Sequence, residues 1–539
     1  MRFSFALLLL FLLLVVGALP NPALAGEEII ENDARRIPWD TVRRAALLTG
    51  RFPPATQPIS RQELSRLRTG PWAVGSSALA DRPASGMTRY LPLEYSRFHG
   101  DLELGWQELG RAEPGEAGLE LPAGGYFLWE PGLEIAGRRW WAAASWRLTG
   151  RLWEGNGPLA LNDPLAYPGR PLPAGQQGTR SARIRQGQTR GELTRLVLGY
   201  RHGGWSLAAG RFPARTGPGV SGALVLDRNA PSLSMVQVRR HTPLRWSGFL
   251  KPFAPTDLLF RAGRLSRREA RYQDQYGHQA KRAHPWFFQW LMGWQPASFF
   301  RVACTQGTMA TAREGTLWPD LMQVNFPLIG TTWREMESGP ITDRIFAVQL
   351  ELRWSRGPVP LLPREAGRAY WEYGGTDFLP GGPGGIFPEL SIPASVLGVE
   401  LVSRRWDLIL EGFETQHPHG LWYSNSGYRE GYTEEGTVLG HEAGGGAEGG
   451  LVKVALRPGR GRRQAVAWAR HTRWDHARLG PGSVTRTTVG LEWGRNPVLA
   501  GAGHLWRAEL RWNRERVAPA VGPEIRRDAL LFLIRVSSY

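Results

Sequence analysis

From about residue 90 onward the chain repeatedly alternates apolar and polar residues with a period of two, a pattern that few architectures can use at such length. Phe346, Val348, Leu350, Leu352 and Trp354 alternate with Ala347, Gln349, Glu351 and Arg353. Trp506, Ala508, Leu510 and Trp512 alternate with Arg507, Glu509, Arg511 and Asn513, and Phe288, Trp290, Met292 and Trp294 with Gln289, Leu291 and Gly293. Val466 with Trp468, and Val489 with Leu491 and Trp493, set the apolar phase of two shorter runs. Successive strand residues point to opposite faces, so each run describes a strand with one apolar and one polar side.

A soluble β-sandwich satisfies the same alternation. Three features favour a membrane barrel. Charges occupy the polar face in mid-strand, as a water-filled lumen permits. Trp and Tyr recur at strand ends, as interfacial girdles require. The sequence also closes on a strand and an aromatic residue, Tyr539, although Leu530, Phe532, Ile534 and Val536 set a phase with which Tyr539 is out of step. At roughly 25 residues per strand with its turn or loop, residues 91–539 predict an antiparallel barrel of about 16–18 strands. Gly/Pro-rich stretches at 155–178, 376–388 and 440–450 are the loop candidates.

The N-terminal part reads differently. Arg2, the apolar run FALLLLFLLLVVGAL and Ala23-Leu24-Ala25 form a charged region, an apolar region and a small-residue cleavage site, so residues 1–25 are expected to be a signal peptide. Gly26, not Cys, follows the site, which argues against a lipoprotein. Residues 26–70 read as a small α-helical module. Asp33 can cap a helix to about Leu48, presenting Ile37, Val42, Ala45, Ala46 and Leu48 on one face. Gly50 and Pro53-Pro54 end it. Ser60 and Glu63 form a capping box that opens a second short helix. Residues 71–90 read as a connector. No later stretch approaches 18 consecutive apolar residues, so the exported chain is expected to be soluble or to cross a membrane as a barrel.

Composition narrows the function. The net charge of +18 is carried by arginine, since only Lys251, Lys281 and Lys453 are lysines. Such a balance fits a GC-rich genome, and it also suits carboxylates or phosphates, which guanidinium groups grip bidentately. Export removes nucleic acid as a partner. A single cysteine excludes a disulfide scaffold or a multi-cysteine metal site. The sequence contains no G-x-S-x-G, H-E-x-x-H or P-loop motif. Asp475-His476 reads as a solvated turn sooner than as half of an acid-base pair. His417, His419 and His441 lack a carboxylate partner at metal-ligand spacing. No catalytic residue, metal or cofactor is expected.

The densest polar-aromatic segment is HPHGLWYSNSGYREGYTEEGTVLGH, residues 417–441. Flat aromatic faces beside amide and guanidinium groups suit a carbohydrate, because rings stack on the apolar sugar face while polar groups take the hydroxyls. A packed loop on a barrel rim has the same composition. On the first reading Trp422, Tyr423, Asn425, Tyr428, Arg429, Tyr432 and His441 are the candidate polysaccharide-binding residues.

At this segment the sequence resembles the Wzi capsule-assembly family of outer-membrane proteins. The resemblance rests on Gly427-Tyr428-Arg429-Glu430-Gly431-Tyr432 running to Gly436-Thr437-Val438-Leu439-Gly440-His441. Gly217-Pro218-Gly219 leading to Asn229-Ala230-Pro231 and Ala369-Tyr370-Trp371-Glu372-Tyr373 agree with it. The 37–67 region is also similar to the family's helical piece. The resemblance implies a barrel of about eighteen strands plugged by its own loops, with the helical module on the periplasmic side. It implies a lectin-like, non-enzymatic role at the outer membrane: holding capsular or extracellular polysaccharide at the cell surface, among outer-membrane lipid. It leaves open whether the helical module meets the polysaccharide export machinery. A porin or diffusion channel, and a lipid- or glycan-modifying outer-membrane enzyme, are the competing readings.

Overall fold

The computed structural model describes the chain from Leu93 to Ser538, with breaks at 108–110, 113–119, 122–123, 155–189, 241–243, 245–253, 313–339, 355–365, 380–388, 424–426, 458–462, 476–482, 496–504 and 519–522 and at scattered single or paired residues. It also describes Arg43, Ala46, Leu47, Thr56 and Gln57. Eighteen wall strands follow one another: β1 Leu93–Gln107, β2 Gly124–Gly137, β3 Trp140–Glu154, β4 Arg190–His202, β5 Trp205–Phe212 and β6 Leu233–Arg240. Next come β7 Asp257–Arg264, β8 Trp286–Ala297, β9 Phe300–Thr311, β10 Ile341–Trp354, β11 Ala366–Thr376 and β12 Pro393–Val402. The last six are β13 Trp406–Glu414, β14 Ala447–Leu456, β15 Arg463–Asp475, β16 Ser483–Arg495, β17 Leu505–Ala518 and β18 Ile525–Ser538. Each pairs antiparallel with its neighbours in sequence, and β18 returns to β1 with Ser538 opposite Gly100, which closes the barrel. A closed sheet leaves no edge strand, so every backbone group in lipid finds a partner. No helix among the described residues is long and apolar enough to cross a membrane.

The alternation has the physical sense expected of it. On β10, Ala347, Gln349 and Glu351 are buried inside while Leu352 is exposed outside. Leu510 and Trp506 on β17, and Leu530, Phe532, Ile534 and Val536 on β18, also face outward. The β15 phase is the reverse of the one expected. Val466 and Trp468 face the lumen, and the outer face there is built from Ala465, Ala467 and Ala469. The cause is across the strand pair: Trp468 lies over Gly490, where an added Cβ would sit 2.3 Å from its ring. An inward indole thus uses the room a glycine leaves, and alternation cannot reveal that both faces carry apolar groups.

The connections sort to two ends. At one end lie the turns at 203–204 and 298–299. At the other lie the connection at 213–232 and the described part of 415–446, and outer-membrane barrels carry their longer loops outside the cell. Loop candidate 155–178 falls outside the described residues, as does most of 376–388. The 440–450 stretch is a loop only to Gly446, after which Gly449 and Gly450 belong to β14. The signal peptide, the second helix of the N-terminal module, the connector and Tyr539 also fall outside them. Arg43, Ala46 and Leu47 are helical and buried, within the span expected to be a helix. Thr56–Gln57, in contrast, forms a two-residue strand against Arg215–Thr216.

Candidate functional site

The lumen is occupied by two inward-folded connections, residues 213–232 and 415–446, which form one apolar cluster with inward residues of the wall. Leu224, Val225, Leu226, Trp422, Tyr423, Tyr428, Tyr432 and Leu439 pack with Trp141 of β3, Phe212 of β5, Phe287 of β8, Val396 of β12, Phe413 of β13 and Trp474 of β15. Around this cluster the wall is polar, and many of its charges are paired. Arg147 meets Glu130 at 3.0 Å and Arg195 meets Glu134 at 2.6 Å. Glu351 binds both Arg301 and Arg368. Many of the arginines that dominate the composition are thus internal ion-pair partners, a role that composition alone does not show.

The first connection is held by wall carboxylates. Glu411 of β13 accepts from the Ser221 amide at 2.7 Å, from the Val220 amide, from the Ser221 hydroxyl and from the Tyr370 hydroxyl at 2.5 Å. Glu372 of β11 accepts from the Leu224 amide at 3.1 Å and from Gln349 at 3.1 Å. Arg368 donates to the Pro218 carbonyl at 3.0 Å while binding Glu400 and Glu351 at 2.9 Å each. Gly217 is a place where this tight path demands glycine. Its φ is +153°, and a Cβ there would lie 2.6 Å from Ala223 and 2.9 Å from Glu372.

The second connection threads beside the first. The Tyr423 hydroxyl donates to the Leu224 carbonyl at 2.8 Å and accepts from the His441 amide at 2.7 Å. Tyr423 holds this position at φ 62°, a left-handed conformation uncommon for a bulky residue. Trp422 donates from its indole to the Ile392 carbonyl at 2.6 Å. The Tyr428 hydroxyl lies 2.9 Å from the Ile341 carbonyl and 3.0 Å from the Thr311 hydroxyl. Tyr423 and Tyr432 stack with centroids 6.1 Å apart. Arg268 and the Ser266 amide fix Glu434 at 2.9 Å each.

His441 closes the join. Its ring lies 4.6 Å from that of Phe413, its Nδ1 accepts from the Ala443 amide at 3.2 Å and its Nε2 is 3.0 Å from the Ser221 hydroxyl. An acceptor at Nδ1 leaves the proton on Nε2, so His441 donates to Ser221, which donates on to Glu411. This polarity is opposite to that of a serine activated by a histidine base, which must accept the hydroxyl proton. Burial first, then nearby Arg470 and Arg215, holds the His441 pKa well below the ordinary histidine value, so the ring is neutral. Burial likewise raises Tyr423, Tyr428 and Tyr432 above the ordinary tyrosine value.

Five of the seven residues singled out from sequence therefore meet in one packed unit. Trp422, Tyr423, Tyr428, Tyr432 and His441 are buried, and their ring faces are covered by protein. The structure gives them a packing role in place of an open stacking surface. Composition could not separate the two, because a Gly-rich aromatic loop reads alike whether it folds into a lumen or lies on a rim. Asn425 and Arg429 fall outside the described residues. Glu411, Ser221 and Arg368 escaped notice because their contacts join segments about 150–220 residues apart in sequence. The available signal was the set of three separated motifs. Gly217-Pro218-Gly219, Tyr370 with Glu372, and Tyr428 to His441 all converge on this plug.

Two of the tyrosines are told apart by a simple test. The Tyr432 hydroxyl is buried and makes no hydrogen bond among the described residues, whereas that of Tyr423 makes two. Tyr432→Phe is expected to leave stability unchanged or raised, and Tyr423→Phe to cost about 1–3 kcal/mol by orphaning the Leu224 carbonyl and the His441 amide. Urea unfolding of detergent-purified protein measures both. Equal losses would contradict the assignment.

Comparison with known proteins agrees with the motifs. Residues 147–312 match the protein-family model described as capsule assembly protein Wzi. The fold is similar to the solved structure of Wzi from Escherichia coli, described as an outer membrane protein involved in group 1 capsule assembly and a carbohydrate-binding β-barrel. That match has a TM-score of 0.61 at 13% identity and covers 95% of this chain and 99% of that one. Acinetobacter baumannii OccAB2 matches at a TM-score of 0.44 and 9% identity, covering 83% of this chain and 98% of that one. Pseudomonas aeruginosa OprD matches at 0.41 and 10%, covering 86% and 97%. No curated protein matches the chain by sequence.

Proposed function

From a chain that carries the Wzi family signature over 147–312 and closes as an eighteen-stranded outer-membrane barrel, we propose a lectin-like role: binding capsular or extracellular polysaccharide and retaining it at the cell surface. The observation that carries this reading is the plug. Its two connections are bonded to the wall by Glu411, Glu372 and Arg368, and its core is apolar, as suits a fixed support. A diffusion channel needs an open lumen instead. The buried aromatics then hold the shape of the plug, and Asn425 and Arg429 of the same segment are the residues proposed to bind the polymer. The proposed partner is an acidic polysaccharide, because exposed guanidinium groups pair with carboxylates.

Purified protein in detergent micelles should bind capsular polysaccharide from its own source cell. Exposed charges are screened beyond ~8 Å at physiological ionic strength, so binding should weaken as salt rises. Arg429→Gln should weaken it further without moving the unfolding midpoint. No binding at low salt would remove the proposal. Salt-independent binding would remove the arginines from it.

A further inference from the structure

Between β7 and β8 the chain leaves the wall as a hairpin, Arg268–Asp274 against Gly277–Ala283, at the same end of the barrel as the two inward-folded connections. One face of it is fastened down. Arg268 and Ala270 are buried, and Ala270 forms a β-bridge with Tyr428 of the plug. The Arg271 amide donates to the Gly427 carbonyl at 2.7 Å, and the Arg268 guanidinium holds Glu434 at 2.9 Å. On the second strand Lys281 donates to the Ala312 carbonyl, and at the foot the Leu265 amide donates to the Pro285 carbonyl at 2.9 Å. The hairpin is thus held along both strands, and its backbone is fixed by the plug.

Alternation turns Arg267, Glu269, Arg271 and Arg282 to the other face, with Glu269 directly opposite Arg282. The three arginines are exposed. Arg271 meets Glu269 through Nε at 2.7 Å, which leaves its terminal nitrogens to solvent. Arg267 and Arg282 make no ion pair and no side-chain hydrogen bond among the described residues. Three guanidinium groups therefore face one carboxylate. Inside the wall the balance is different, since Arg147, Arg195 and Arg368 are each met by a carboxylate. Arg267 and Arg271 stand either side of Glu269, roughly 13 Å apart along the strand at about 3.3 Å per residue. A fixed row of cations suits a polyanion whose carboxylates repeat along a chain. Two features favour such a polymer over the phosphates of a membrane lipid. The hairpin leans on Gly427 and Tyr428, so it is directed toward the plug and adjoins the segment that carries Arg429. Trp286, exposed at its foot beneath Arg264 at 4.8 Å, marks the aromatic belt, beyond which the hairpin stands clear of lipid.

We propose that this face of the hairpin is a subsite for an acidic polysaccharide, with Arg267, Arg271 and Arg282 gripping carboxylates of successive sugars. The inference rests on the polysaccharide reading and adds to it the place where the charge of the polymer is read. The anchored backbone needs little ordering when the polymer arrives. The test titrates full-length protein in detergent micelles with polygalacturonate, with neutral dextran as control, at low and at physiological salt. Wild-type protein should bind polygalacturonate over dextran, and less tightly as salt rises. Replacing Arg267, Arg271 and Arg282 together by glutamine should weaken binding about tenfold, the scale of three exposed charge pairs, and flatten the salt dependence. Removing the same charge from the outer wall, by Arg514→Gln, Arg516→Gln and Arg526→Gln together, should change binding less than about twofold. Glu269→Gln deletes the opposing carboxylate and should tighten binding about threefold. It decides the matter if the triple variant does not assemble, as judged by heat-modifiable electrophoretic mobility. Wild-type affinity in an assembled triple variant overturns the subsite, as does unchanged binding by Glu269→Gln or a wild type that does not bind polygalacturonate. Polymer from the source cell still bound in any of these cases leaves the polysaccharide reading standing. A triple variant that loses lipid A added to the micelles and keeps polygalacturonate overturns the choice of occupant.

Discussion

Replacing Glu411 by alanine is expected to release the plug while leaving the wall assembled. The ladders that close the barrel do not involve this side chain, but four donors do: two amides and one hydroxyl of Val220 and Ser221, and the Tyr370 hydroxyl. A buried donor left without its acceptor costs about 1–3 kcal/mol, so the first connection loses on the order of 3 kcal/mol or more of its attachment. In planar bilayers the variant should show ion conductance well above the wild type. Residues 213–232 should become open to protease, while heat-modifiable mobility is kept. Glu411→Gln retains an acceptor and should fall between. A Glu411→Ala barrel as closed as the wild type would mean that this connection is held elsewhere.

The second large effect belongs to Arg368. Its guanidinium is buried, lies 4.4 Å over the Tyr370 ring and satisfies Glu400, Glu351 and the Pro218 carbonyl together. Arg43 reaches Glu400 at 3.4 Å from the N-terminal segment, so one ionic cluster joins that segment, the wall and the plug. Removing one partner of a buried ionic group strands the others, typically at about 3–5 kcal/mol. Arg368→Ala should lower the urea midpoint accordingly. Arg368→Lys keeps the positive charge between the two carboxylates and should recover part of the loss. A lysine variant no more stable than the alanine one would show that the forked hydrogen bonds, and not the charge, are what matter.

How far the sequence reaches can be judged from particular residues. The β10 and β17 runs alternate cleanly, and the strands are where that pattern puts them, because a lipid face and a charged inner face are chemically unlike. The β15 run misleads because Trp468 turns inward over Gly490, and outward alanines give lipid contact with little hydrophobic signal. The segment around Tyr428 and Tyr432 is correctly marked as special. Its packing is invisible locally, because Tyr423 finds Leu224 and His441 finds Ser221 only after the chain has passed through eight further wall strands, β6 to β13. Motif order preserves a trace of that meeting, since glycines at 217 and 219, Glu372 and His441 are the parts that must fit one another.

Cells give the most direct test of the central claim, that this barrel retains polysaccharide at the surface. A strain lacking the protein should make and export as much polymer as its parent, and the fraction that sediments with the cells should fall as the fraction in the medium rises. Wild-type protein supplied in trans should restore the partition. Loss of total polymer with no change in its partition would contradict the account and point to an enzyme or an exporter.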